Sequence, residues 1–130
     1  MAPAPSERLD HDGIVPHLVV GTPHRLRGLS LRSHLHDGRC VAWDGPQDGS
    51  TIAVDAEVDR PVPRALGSRF GVDDFWGRWT RLECAAKATD TPVALLLGPS
   101  LGLPAVPGAR FVTIRLAGDV IVSVALREPG

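Results

Sequence analysis

The clearest pattern of apolar and polar positions lies between Asp73 and Ala88. Phe75, Trp79, Leu82 and Ala86 recur at helical spacing and predict one apolar face of a long helix. Trp76, Thr80, Glu83 and Lys87 form the neighbouring stripe, with Glu83 and Lys87 one turn apart in the favourable order of acid before base. Asp73 or Asp74 is the expected N-cap, and Thr89-Asp90-Thr91-Pro92 the expected end.

Strand patterns flank this helix. Val15 to Val20 reads as a short apolar strand after a turn at His11-Asp12-Gly13. Leu29 to His34 alternates weakly, and His36-Asp37-Gly38 turns it into Arg39 to Trp43. Thr51 to Glu57 has a period of two, placing Ile52, Val54 and Ala56 on one face and Ala53, Asp55 and Glu57 on the other. Arg64 to Phe70 fits a short helix. Val93 to Leu97 is apolar with no clear period, and Gly98 to Gly108 is loop. A hairpin closes the pattern, Phe111 to Leu116 and Val120 to Leu126 around Ala117-Gly118-Asp119. The expected fold class is α+β: an antiparallel sheet packed by one long helix and a second short one.

Composition narrows the classes. At 130 residues the chain has room for one core, expected over 13–130, with 1–12 a leader lacking structure. The formal charge of -1, without a Lys/Arg cluster, gives no electrostatic case for nucleic acid. No apolar run nears the roughly 20 residues of a membrane span, and no basic segment precedes an apolar one at the N-terminus. Cys40 and Cys84 fall in unrelated elements, so reduced thiols and a cytoplasmic location are expected. The 14 Gly and 12 Pro are spread through the chain and imply many short loops.

Asp55 and Glu57 are the informative pair. Two residues apart on a strand, they point the same way at roughly 6.5 to 7 Å along the chain. Their repulsion in a half-buried sheet calls for a positive partner. A hard divalent cation such as Mg²⁺ takes one to three carboxylates of this kind, together with water and phosphate. A helix packed across the strand brings Glu83 as a third carboxylate and Lys87 to a shared anion. The bland alternatives are a solvated acid pair on a sheet edge and an ordinary helix ion pair. His34, after Ser33 and near Arg32 and Arg39, suits either a phosphate contact or a solvated turn. His11, His17, His24 and His36 show no metal-ligand spacing.

Together these stretches resemble the 4′-phosphopantetheinyl transferase superfamily over roughly residues 13 to 126. Leu29-Ser30-Leu31-Arg32-Ser33-His34 looks like the family's Ser-His motif. Ile52-Ala53-Val54-Asp55-Ala56-Glu57, followed by Arg60-Pro61, looks like its Gly-Ile-Asp-x-Glu strand. Trp79-Thr80-Arg81-Leu82-Glu83-Cys84-Ala85-Ala86-Lys87-Ala88 looks like its Trp-Ser/Thr-x-Lys-Glu-Ala-x-x-Lys-Ala helix. The three motifs keep the family's order.

The resemblance implies that Asp55, Glu57 and Glu83 bind Mg²⁺ together with the pyrophosphate of coenzyme A. Lys87 would hold one of its phosphates, and Ser33, His34 and Arg60 would also bind coenzyme A, His34 at the 3′-phosphate. Glu83 and Lys87 would be the catalytic pair. The implied reaction transfers the phosphopantetheine arm to a serine of an acyl or peptidyl carrier protein. Three positions depart from the motifs: Leu82 replaces a lysine, Ala53 a glycine, and Asp90 stands where glycine is common. The motif order is that of the two-lobed members at half their length, so a homo-oligomer is expected to supply the missing lobe. A lobe that binds carrier protein or coenzyme A without transfer, or a pathway enzyme reusing the fold, are the alternatives.

Overall fold

The computed structural model describes residues 11–47, 49–104 and 106–128. A one-turn helix α1 (His11–Ile14) and a 3-10 turn (Val15–His17) lead into β1 (Leu18–Gly21). β2 (Arg32–His34) and β3 (Cys40–Trp43) form a hairpin, and β4 (Thr51–Val58) follows. Next come α2 (Arg64–Phe70), α3 (Phe75–Ala88) and a 3-10 turn (Val93–Leu95). β5 (Ala109–Leu116) and β6 (Val120–Arg127) close the described chain.

The α+β expectation is right, but the strands make two sheets rather than one. β1-β3-β2 and β4-β6-β5 are separate three-stranded sheets, antiparallel throughout. They stack because β4 has an apolar side toward each neighbour. Ile52, Val54 and Ala56, with Val122, Val124 and Leu126 of β6, pack on Leu35, Val41 and Trp43 of the first sheet. Ala53 and Ala125, on the opposite face, pack on Cys84 of α3. Sheet, sheet and helix are therefore three layers, with β4 in the middle one. This is why Asp55 is buried, at 8% exposure, instead of lying on a solvated face.

Several boundaries move for local reasons. His11 to Gly13 belongs to a helical turn, not a loose one, and the strand begins at Leu18 because Pro16 lies in the 3-10 turn before it. The expected leader, 1–12, falls in residues 1–10 outside the described residues, and the described chain is already helical at His11. Leu29 does not enter β2, since its amide donates to the Leu26 carbonyl in a turn. Asp74 precedes α3 with a left-handed φ of 47° and makes no capping bond; its carboxylate takes Arg81 Nη2 at 2.8 Å. The buried surface of α3 is broader than the expected stripe, as Trp76, Thr80 and Cys84 are buried along with Phe75, Leu82 and Ala86. In the last hairpin Ala117 and Gly118 both have positive φ, 52° and 79°, the backbone signature of a type I′ turn.

Candidate functional site

Three hydroxyls fix how α3 sits on the second sheet. Thr80 Oγ1 and Ser123 Oγ lie 2.7 Å apart, Ser123 Oγ and Thr113 Oγ1 2.8 Å, and Arg81 Nη1 donates to Thr113 Oγ1 at 3.0 Å. Thr80 and Ser123 are fully buried, so a sliding helix would strand polar groups without partners. Ser123 is the β6 partner of Asp55 in register. The hydroxyl chain thus places the next turn of α3 over Asp55.

Lys87 lies about two turns beyond Thr80, in the last turn of α3. Its Nζ donates to the Val54 carbonyl at 2.8 Å and to Asp55 Oδ1 at 3.2 Å. Ser33 Oγ, from β2, donates to the same Oδ1 at 3.3 Å and accepts the Ala56 amide at 3.0 Å. Asp55 Oδ2 is buried with no hydrogen-bond partner among the described residues. Burial pushes the Asp55 carboxyl up to about 7; Lys87 pulls it down, and Glu83 and Glu57 push it further up. Glu83 is raised as well, by burial first and by Glu57, against the pull of Lys87. Its carboxylate accepts no hydrogen bond among the described residues. Asp55 thus has Glu83 and Glu57 as neighbouring acids, and Glu83 has Glu57, each adding to the effect of burial.

Glu57 has its own cation. Arg60 Nη1 donates to Glu57 Oε2 at 3.0 Å and to the Val58 carbonyl at 3.1 Å. The guanidinium lies 4.1 Å from the Trp76 ring centre, and Trp76 Nε1 donates to the Arg60 carbonyl at 2.8 Å. Beyond Lys87, an open groove of about 420 Å³ is lined by Glu83, Ala86, Lys87, Asp90, Thr91, Pro92 and Val93. It gives a phosphate-sized ligand access to Glu83 and Lys87 from solvent.

Not every expected residue joins the cluster. His34 is exposed and, as the neighbour of buried Ser33 on a strand, points to the opposite side of β2. Arg39, expected beside His34, is committed elsewhere: it bonds Asp37 at 2.7 Å and Asp119 at 2.8 Å, holding both carboxyls below the usual range. Leu82 has 0% exposure in a cluster with Phe70, Phe75, Trp76 and Leu101. It faces the core, not the groove, so a lysine there would be buried. Asp90 has φ of 50°, a left-handed conformation that glycine adopts most readily. Cys84 lies beneath the site, its thiol pushed well up by burial and bonded to the Ser123 carbonyl at 3.0 Å. Cys40 and Cys84 are both free and buried.

The donors are hard oxygens, and the unpartnered Asp55 Oδ2 is a buried acceptor suited to a cation. The set fits Mg²⁺ in kind. In spacing, no group of three or more His, Cys, Asp or Glu side chains among the described residues is gathered tightly enough to enclose an ion. Charge is balanced instead by Lys87 and Arg60. No described helix is long and apolar enough to cross a membrane. The chain matches no protein-family model, no curated protein and no solved structure.

Proposed function

We propose that the chain is a phosphopantetheinyl transferase-like lobe that moves the 4′-phosphopantetheine arm of coenzyme A to a serine of an acyl or peptidyl carrier protein. The observation that carries this reading is the convergence of Asp55 and Glu57 from β4 with Glu83 and Lys87 from α3, the last two lining an open groove. Asp55, Glu57 and Glu83 would hold Mg²⁺ once their side chains close on the ion, which when bound neutralises charge on the pyrophosphate. Lys87 donates to a phosphate oxygen from the rim of the groove. Glu83 is its half-buried carboxylate with no hydrogen bond among the described residues, and its raised affinity for protons suits it to accept the serine hydroxyl proton. The serine oxygen forms the new bond to phosphorus, the bond to the nucleotide's phosphate breaks, and adenosine 3′,5′-bisphosphate leaves. A homo-oligomer would supply the part of the pocket that this lobe lacks.

The test is mass spectrometry of several apo carrier proteins incubated with the chain, Mg²⁺ and coenzyme A. A gain of one phosphopantetheine group is expected, and no gain on any carrier would sink the reading. A second reading has one observation in its favour: Lys87 and Arg60 already neutralise Asp55 and Glu57 without a metal. Under it the lobe binds coenzyme A or carrier protein without transfer. Calorimetry showing tight binding beside absent turnover would select it.

A further inference from the structure

We propose that Ser33 is a positioning residue for Asp55, and that through it the β1-β3-β2 sheet takes part in the site within one chain. Its placement alone supports this. β4 is an edge strand of its sheet, with its free edge next to β2. Ser33 crosses that boundary with one atom: Oγ accepts the Ala56 amide at 3.0 Å and donates to Asp55 Oδ1 at 3.3 Å.

A buried hydroxyl has one proton to give, and here it goes to the carboxylate. Ser33 is itself buried, at 6% exposure, so this hydroxyl faces the protein and not a ligand in solvent. With Lys87 it occupies Oδ1 fully enough that Oδ2 is the oxygen left open. The carboxylate therefore has a fixed orientation that Lys87 alone, on a flexible stem and partly exposed, would not impose. The role differs from direct contact with coenzyme A, which the motif resemblance implies for this serine. Its consequence for metal binding rests on the transferase reading; the orientation of Asp55 does not.

The experiment compares S33A and S33T with the unaltered chain by Mn²⁺ affinity in electron paramagnetic resonance, without substrate. S33A is expected to weaken Mn²⁺ about 10–100-fold, as loss of a partner orienting a ligand does, and S33T to recover most of it. Wild-type affinity in S33A overturns the proposal. So does a raised KM for coenzyme A in S33A with Mn²⁺ affinity unchanged, which would make Ser33 a substrate contact. If the unaltered chain binds no Mn²⁺, the transferase reading fails, and the positioning role is read on melting temperatures of S33A, D55A and the double variant. Non-additive shifts support it and additive shifts overturn it. Should S33A not fold, S33C takes its place in both measurements.

Discussion

Lys87 and Asp55 meet at 3.2 Å, and the same ammonium caps the Val54 carbonyl at 2.8 Å, so the last turn of α3 is fastened to the middle of β4. The two residues share one solvent boundary: Asp55 is buried and Lys87 is exposed on one side. Lys87 is thus both the charge partner of a buried acid and the cation nearest the groove. Removing it has two separable effects. K87A is expected to cost about 1 kcal/mol near pH 8, a small figure because the lysine is partly solvated. Near pH 5, where Asp55 carries its proton, the cost should shrink. Denaturant unfolding at both pH values checks this. In the transfer assay K87A should lower kcat/KM by about 100-fold, the loss expected of a positioned cation at developing phosphate charge.

The pH dependence of the metal-free chain follows from Asp55. Its folded carboxyl titrates at about 7, above its ordinary value of roughly 3.9 in the unfolded chain. Between those values the folded state holds a proton that the unfolded state has released. The stabilisation is complete below pH 4 and is lost as pH rises through 7. Glu83 is shifted in the same direction and adds to the decline. The fall is expected to be on the order of 4 kcal/mol at most for Asp55, and D55N should flatten most of it. A stability curve that rises between pH 5 and 8 in the wild type would contradict this.

Leu82, which stands where the resembled helix motif has lysine, has a structural role of its own. It is fully buried against Phe75, Trp76 and Leu101. L82K should not strengthen coenzyme A binding. It should instead unfold the chain or cost at least about 3 kcal/mol, because an unpaired ammonium would enter the apolar core. L82A should cost about 2–5 kcal/mol with coenzyme A affinity unchanged in whatever fraction remains folded. Thermal melts and a binding titration separate the two outcomes.

Much of this was legible in the residues because it depends on local spacing. The period of two over Thr51 to Glu57 correctly sets Asp55 and Glu57 on the face opposite Ile52, Val54 and Ala56. The helical period of α3 places Glu83 and Lys87 on the turn that reaches β4. What spacing could not reveal are contacts between distant segments. Nothing in Arg32-Ser33-His34 alone shows that Ser33 is turned inward to Asp55 while His34 is exposed. There are two sheets rather than one because no strand ladder joins β2 to β4, although Ser33 bridges them through its side chain. Spacing likewise does not show that Asp119, 80 residues away, holds Arg39 together with Asp37. Trp76 falls on the stripe beside the apolar face in the helical pattern, yet it is buried beneath Arg60.

Asp90 offers a stability gain. Its φ of 50° is a left-handed conformation in which a Cβ is unfavourable, and it follows the last turn of α3, where glycine is the common terminator. D90G should stabilise the chain by about 0.5–1 kcal/mol, less the entropy that glycine adds to the unfolded chain. The change also removes an acid from the groove beside Lys87. Affinity for an anionic ligand should therefore rise, by an amount that falls with added salt. Melting curves and phosphate titrations at two ionic strengths check both parts.

Arg60 distinguishes a ligand contact from an internal counter-ion. Its guanidinium is held between Glu57 and the Trp76 ring, with its own carbonyl bonded to Trp76 Nε1. A cation used in this way competes with any metal for the Glu57 carboxylate. R60A should therefore free Glu57 and tighten Mn²⁺ binding, by roughly threefold to tenfold for the loss of one partly screened charge. KM for coenzyme A should stay within about threefold, because the guanidinium is directed at Glu57 and not into the groove. Stability should fall by about 1 kcal/mol with the loss of the ring contact and the ion pair. If R60A instead raises KM strongly and leaves Mn²⁺ affinity unchanged, Arg60 leaves Glu57 when coenzyme A binds and serves as a phosphate contact. R60K gives the sharper comparison: it keeps the charge but not the planar fork over Trp76, so the Mn²⁺ affinity should stay near wild type while stability falls.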